Sequence, residues 1–356
     1  MFESGSGARS RRWVALAAIA LLACPAGMGQ PPSPQPMAPI GRLVDAGGHR
    51  LHINCTGAGS PTVVMESGAL DLSLVWALTQ PKVAQFTRAC SYDRAGYAWS
   101  DAGPLPRTMA QIAYELHTAL ANAGEKGPYV LVGASLGGAM VRVFANAYPN
   151  DVSGMVLVDS VHESGFEILN DKVVRYRETT QKREIPPVQA FFKTDTGAGG
   201  PLVLRPIKSG KFIQSNPRSK LPPDLQRIWM IARKQDKYSQ ATNSEFSFLP
   251  EEMDKLYAQT AANPQPLGKK PLIVLTSDAA FDRAPEGMTV ADLNNDRKSL
   301  QAKLATLSAN NKLVTVKDSG REIHLNQPDV VAAAIREVVQ AAKTRASLKE
   351  AEAPLQ

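Results

Sequence analysis

Short apolar strands alternating with helical segments predict an α/β architecture, a mostly parallel sheet with helices on both faces. Three observations carry this expectation. Tyr129–Gly133, Val152–Asp159 and Pro271–Thr276 are short, mostly apolar segments of the length that suits strands buried on both sides. Between them the apolar spacing turns helical, as in Ile112, Leu116 and Leu120. The alternation resumes after a long insertion and shows no internal repeat.

In chain order, Gly41–Cys55 alternates apolar and polar residues around Ala46-Gly47-Gly48 and reads as a β-hairpin. Pro61–Glu66 and Arg88–Asp93 read as strands, and Thr108–Ala123 as a helix stopped by Gly124. Leu136–Tyr148 is a small-residue-rich helix ended by Pro149. Leu313–Lys317 is the last strand and Val330–Ala342 the last helix. Between Val161 and Lys270 the rhythm breaks. Pro186-Pro187, Gly197-Ala198-Gly199-Gly200 and Pro222-Pro223 punctuate this polar, basic stretch, with helices expected around Asp224–Lys237 and Glu251–Ala261. A long insertion between two core strands suits a largely helical lid, and Ile228, Trp229, Met230 and Leu256 give it apolar residues to pack with. The expected division is a leader (1–29), a Pro-rich tether (30–40), a core (41–160 with 271–346), a lid (161–270) and a tail (347–356).

The 356 residues are 44% hydrophobic and 21% charged, the balance of a globular chain long enough to bury a large core. The formal charge of +7 falls to +5 without residues 1–29, which hold Arg9, Arg11, Arg12 and Glu3. That excess is spread along the chain with no basic block, so nucleic acid is not expected as a partner. Three cysteines are too few for a cysteine-built zinc cluster, and no metal is expected. Arg9, Arg11 and Arg12 precede the apolar run Val14–Cys24, and small residues lead to Gly29. This is the pattern of an export signal cleaved before Gln30, with a run too short to span a bilayer. Leu21-Leu22-Ala23-Cys24 also fits a lipobox that would anchor the chain through Cys24, and Arg11-Arg12 fits twin-arginine export. Each variant places the mature chain outside the cytoplasm, periplasmic or secreted, with a bacterial form of signal. There Cys55 and Cys90 would meet oxidising conditions, as a pair or as two buried thiols.

Gly133-Ala134-Ser135-Leu136-Gly137-Gly138 closes one strand and opens one helix. This is the setting of a nucleophile elbow: a strained turn lifts Ser135 above the sheet, and Gly133 and Gly137 leave room for the crossing backbones. The helix N-terminus then faces the charge that develops when Ser135 attacks a carbonyl.

Pro61–Gly68, Tyr92–Ser100, Gly133–Gly138 and Gly154–Ser160 together resemble the α/β-hydrolase superfamily, in its lipase/esterase-like group with a lid after strand six. The resemblance covers residues 41–160 and 270–342. It implies the α/β-hydrolase fold, a serine nucleophile at Ser135 and no cofactor. The loop after the third strand usually reads His-Gly in that group and reads Ser67-Gly68 here. The resemblance therefore implies Ala69 and Leu136 as the two oxyanion N–H donors. It also implies a Cys55–Cys90 disulfide and makes Asp93-Arg94 a structural pair.

Five histidines are candidates for the base. His49 and His52 belong to the first hairpin, and His117 to the middle of a helix. His324 follows the last core strand, where this fold places its imidazole, and His162 at the root of the lid ranks second. Relatives usually read Ser-Gly-His-Asn-Ile-x-x-Asp-Gln-Pro in that loop. Ser319-Gly320-Arg321-Glu322-Ile323-His324-Leu325-Asn326-Gln327-Pro328 puts Arg321 at the base position, and arginine is no base at neutral pH. Either His324 reaches Ser135 or the triad is broken. For the acid, Asp159 at the end of strand six is favoured over Asp278, with Asp282 nearby. The resulting expectation is an exported serine hydrolase acting on a small carboxylic ester or lactone. The alternative is an impaired pseudo-hydrolase that binds an apolar ligand or a partner under its lid.

Overall fold

The computed structural model describes residues 36–169, 172–177, 183–191, 202–203, 216–278, 280–285 and 287–348. The expected leader with Cys24, most of the tether and residues 349–356 of the tail lie outside the described residues.

The chain enters through β1 (Arg42–Asp45), β2 (Arg50–Thr56), β3 (Val63–Glu66), α1 (Gln80–Val83) and β4 (Ala89–Tyr92). It continues through α2 (Met109–Asn122), β5 (Tyr129–Ala134), α3 (Leu136–Ala147) and β6 (Val152–Val158). The insertion carries α4 (Pro223–Ala232), α5 (Asp236–Ser247) and α6 (Leu249–Ala262). The chain then returns through β7 (Leu272–Ser277), α7 (Val290–Ala305), β8 (Asn311–Val316), α8 (Ile323–Asn326) and α9 (Pro328–Thr344). The eight strands form one sheet in the spatial order β8-β7-β6-β5-β3-β4-β2-β1. Its middle is parallel, while β2 runs antiparallel to both β1 and β4.

Period-two side-chain alternation gives the sheet two dry faces. Val130, Val132, Val156 and Ile273 point to the face covered by α9, through Val331, Ile335 and Val338. Leu131, Met155, Leu157 and Val274 point to the other, covered by α2, α3 and α7. Thr108 caps α2 by accepting the Gln111 N–H (3.1 Å). Cys55 and Cys90 face each other across the β2–β4 ladder and are joined by a disulfide.

The insertion packs on the core. Ile228, Trp229, Ala232, Tyr238 and Ala241 close over Leu72, Leu74, Tyr97 and Trp99. Leu249, Met253 and Leu256 close over Ile112, Leu136 and Met140. The single helix expected at Asp224–Lys237 is two. Gln235 is extended (φ −79°, ψ 141°), and this turn lets Tyr238 and Ala241 join Trp229 on one apolar cluster. Two antiparallel pairings extend the insertion, Phe166–Leu169 with Lys172–Arg175 and Leu202–Val203 with Pro36–Met37.

Candidate active site

Ser135 sits at the C-terminal end of β5, where a sheet of this kind gathers its ligands. Its backbone is left-handed (φ 50°, ψ −120°), a strained conformation for a residue with a side chain. The turn stays closed because its neighbours are glycines. A Cβ on Gly133 would lie 2.6 Å from Gly137 O, one on Gly137 2.5 Å from Ser67 O, and one on Gly138 1.9 Å from Ser160 Oγ. The N–H groups of Ala69 and Leu136 have no hydrogen-bond acceptor among the described residues, and both residues line a cavity of about 400 Å³ with Ser135. Leu136 opens α3, so its N–H is one that the helix itself cannot satisfy.

The loop carrying Ala69 is fixed from below. Arg94 donates to Ser67 O and Gly68 O (3.0 Å each). The same guanidinium pairs with Glu66 (2.7 Å) and with Glu245 on α5 (2.8 Å). Tyr92 donates to Glu66, and Tyr97 to Glu245 (2.7 Å). Burial pushes the Glu66 carboxyl above its ordinary range, against the pull of Arg94. Asp93 and Arg94 do not pair with each other. Asp93 accepts from His52 Nδ1 and from Ser73 N–H (2.8 Å each).

Two imidazoles line cavities that reach Ser135, one in each. His324 lines a second cavity of about 710 Å³, which also reaches Ser135, Ala69 and Arg321. Its ring leans on Trp76 (4.9 Å between centroids), and neither ring nitrogen has a hydrogen-bond partner among the described residues. Burial holds it down to about 4, with Asp71 pulling up and Arg218 pushing down, so the ring is neutral at pH 7. Asp71 and Arg218 pair with each other (2.5 Å). His162 lines the smaller cavity. Its Nδ1 accepts the Ser164 N–H (3.0 Å), which leaves the proton of the neutral ring on Nε2 and makes it a donor. Burial holds His162, too, down to about 4. His117 stacks on Tyr148 and meets Asp151, away from the site.

The carboxylates fall differently. Asp159 is fully buried, with a left-handed backbone (φ 44°). Its partner is Arg297 on α7, which reaches Oδ2 at 2.5 Å, Oδ1 at 3.2 Å and the Asp159 carbonyl at 2.6 Å. Arg321 Nε lies 3.5 Å from the same Oδ2. Asp278 accepts the Asp318 N–H (3.1 Å), and Asp282 lines the larger cavity. No imidazole bonds Asp159, Asp278 or Ser135 among the described residues. At Asp159 two guanidiniums stand instead.

Arg297, Asp71, Arg218 and Glu245 escape a reading of the sequence alone. The capping box Thr289–Asp292 that opens α7 was the one local signal pointing towards Arg297.

Comparison with known proteins agrees with this fold. A yeast protein (Saccharomyces cerevisiae) named an uncharacterized vacuolar membrane protein is 35% identical over 133 residues, 32% of this chain. The match spans 21% of that protein, so the chain covers about a fifth of its relative's length. Among solved structures, a meta-cleavage product hydrolase from Pseudomonas fluorescens superposes with a TM-score of 0.57 and 16% identity, over 85% of this chain and 98% of that one. A thermophilic esterase from Thermogutta terrifontis superposes at 0.55 and 18% identity, over 85% and 99%. At such identities the structures show the fold alone. The sequence profile of the alpha/beta hydrolase family matches residues 51–334, nearly the whole of the described core and lid, and with the elbow at Ser135 the chain belongs to the alpha/beta hydrolase family.

Proposed function

We propose that the chain is an exported hydrolase that cleaves small carboxylic esters or lactones through an acyl-enzyme on Ser135. The observation that carries this reading is the strained Ser135 turn beside two amides, Ala69 and Leu136, that have no acceptor of their own. The carbonyl oxygen of the substrate takes those two donors as it becomes an oxyanion. Ser135 Oγ attacks the carbonyl carbon, and His324 takes the hydroxyl proton directly or through one water. The ring is neutral at pH 7 and uncommitted, as this role needs. The nearest charges to the resulting imidazolium are those of Asp71, which favours it, and of Arg218, which pairs with Asp71 and opposes it. His324 then protonates the leaving alcohol, and water releases the acid. The Cys55–Cys90 disulfide supports a life outside the cytoplasm. The mass of the mature N-terminus, starting at Gln30 or at a lipidated Cys24, tests the export route.

A second reading, a ligand receptor without turnover, is favoured by Arg321 at Asp159, where the family imidazole would stand. Fluorophosphonate labelling and p-nitrophenyl acetate turnover separate the two. The hydrolase labels and turns over, and Ser135→Ala and His324→Ala each remove turnover by a factor of about 100 or more. A folded wild type that neither labels nor turns over removes the hydrolase and supports the receptor.

A further inference from the structure

We infer that Arg321, with Arg297 behind it, is a subsite for a carboxylate carried by the substrate on an apolar body next to Ser135. The inference deepens the reading of Ser135 as the acylated residue and rests on it for the place of the scissile carbonyl.

Four observations lead there. The first is charge: one buried carboxylate, Asp159, faces two guanidiniums, so the pair retains one positive charge. Arg297 makes three contacts to Asp159 through Nε and Nη2. Arg321 Nε lies 3.5 Å from Asp159 Oδ2, and its two Nη groups make no hydrogen bond among the described residues. The second is access, since Arg321 lines both cavities that meet at Ser135. The third is the lack of competition, because no Asp or Glu lines the smaller cavity among the described residues. The fourth is the remaining lining. Phe166, Tyr176, Phe246, Phe281 and Leu300 form a wall for an aromatic or aliphatic body, and the Arg321 guanidinium lies 5.8 Å from the Phe281 ring centroid. A guanidinium fork next to such a wall binds a carboxylate through two parallel N–H bonds.

Titration calorimetry on the full chain with 4-phenylbutyrate and its neutral analogue 4-phenylbutanamide tests this without chemistry. The acid is expected to bind roughly 10- to 100-fold tighter. Arg321→Gln brings the acid down to the amide's affinity, and Arg321→Lys restores part of the difference, with thermal melting as the folding control. Equal affinities, an unchanged Gln variant or no binding of either compound overturns the subsite. Turnover of mono-4-nitrophenyl glutarate against 4-nitrophenyl butyrate separates the two ideas. Selective binding without turnover keeps the subsite and removes the hydrolase. Turnover of both esters at equal efficiency, unchanged by Arg321→Gln, keeps the hydrolase and removes the subsite.

Discussion

Two ion clusters flank Ser135, built from the same groups in opposite proportion. Under the Ala69 loop, one guanidinium, Arg94, faces two carboxylates, Glu66 and Glu245. At the end of β6, one carboxylate, Asp159, faces two guanidiniums, Arg297 and Arg321. The first cluster is sealed, with side chains 1–2% exposed, and Tyr92 and Tyr97 use up the acceptors left over. The second is graded: Asp159 is fully buried, Arg297 is 11% exposed and Arg321 is 40% exposed. A charge excess that is sealed must be absorbed by internal hydrogen bonds and so serves architecture. A charge excess open to a cavity is available to whatever enters it.

The largest expected effect lies in the sealed cluster. Arg94→Met leaves Glu66 and Glu245 buried side by side without a cation. Breaking a buried pair from one side costs about 3–5 kcal/mol, read as a shift in the urea midpoint. The Ser67 and Gly68 carbonyls lose their donors as well, so fluorophosphonate labelling of Ser135 should slow in the molecules that remain folded. Adding Glu66→Gln and Glu245→Gln should recover part of the stability and none of the labelling rate, because the carbonyls still lack Arg94. A loss below ~1 kcal/mol would place Arg94 with ordinary surface pairs and end the contrast between the clusters.

His324 sharpens the comparison as a buried ionisable group with neither cluster's compensation. Its folded value is depressed to about 4 from an ordinary 6.5 by burial. Between those values the unfolded chain binds more protons than the folded one, so stability is full above pH 6.5 and falls as the pH drops towards 4. The expected loss from this residue is about 3 kcal/mol by pH 4. His324→Asn should flatten that part of the stability profile relative to wild type. An unchanged slope would mean that the ring accepts a proton in place, with Asp71 as its counter-charge.

Much of the sheet could be read from residue patterns, because strands buried on both faces need unbroken apolar runs. The elbow could be read because its glycines answer local clashes at Gly133, Gly137 and Gly138. Helix α7 escaped because VADLNNDRKSLQAKLA is mostly polar, with Leu293, Leu300 and Leu304 as its buried leucines. Arg297 on that helix reaches Asp159 across 138 residues, and Glu245 reaches Arg94 across 151. No local pattern encodes either contact. Arg321, by contrast, was visible as an anomaly of register. What the sequence could not show was its partner, since that depends on Asp159 turning its carboxylate towards α7.

The smallest effects test whether the open cluster is graded as its exposure suggests. Arg297→Gln removes the main partner of a fully buried carboxylate, and the loss should be about 2–3 kcal/mol. Arg321→Gln should change stability by less than ~1 kcal/mol, because Asp159 keeps Arg297 and the lost pair is partly solvated. Its removal also relieves a repulsion: burial, opposed by Asp159 and reinforced by the like charge of Arg321, holds Arg297 below its ordinary value. The sign of the small change is therefore informative, since a slight gain in chemical denaturation would mean that Arg321 is held near a like charge at a cost to the fold. If instead Arg321→Gln destabilises the chain as much as Arg297→Gln does, both guanidiniums are structural partners of Asp159, and no charge is left over for a ligand.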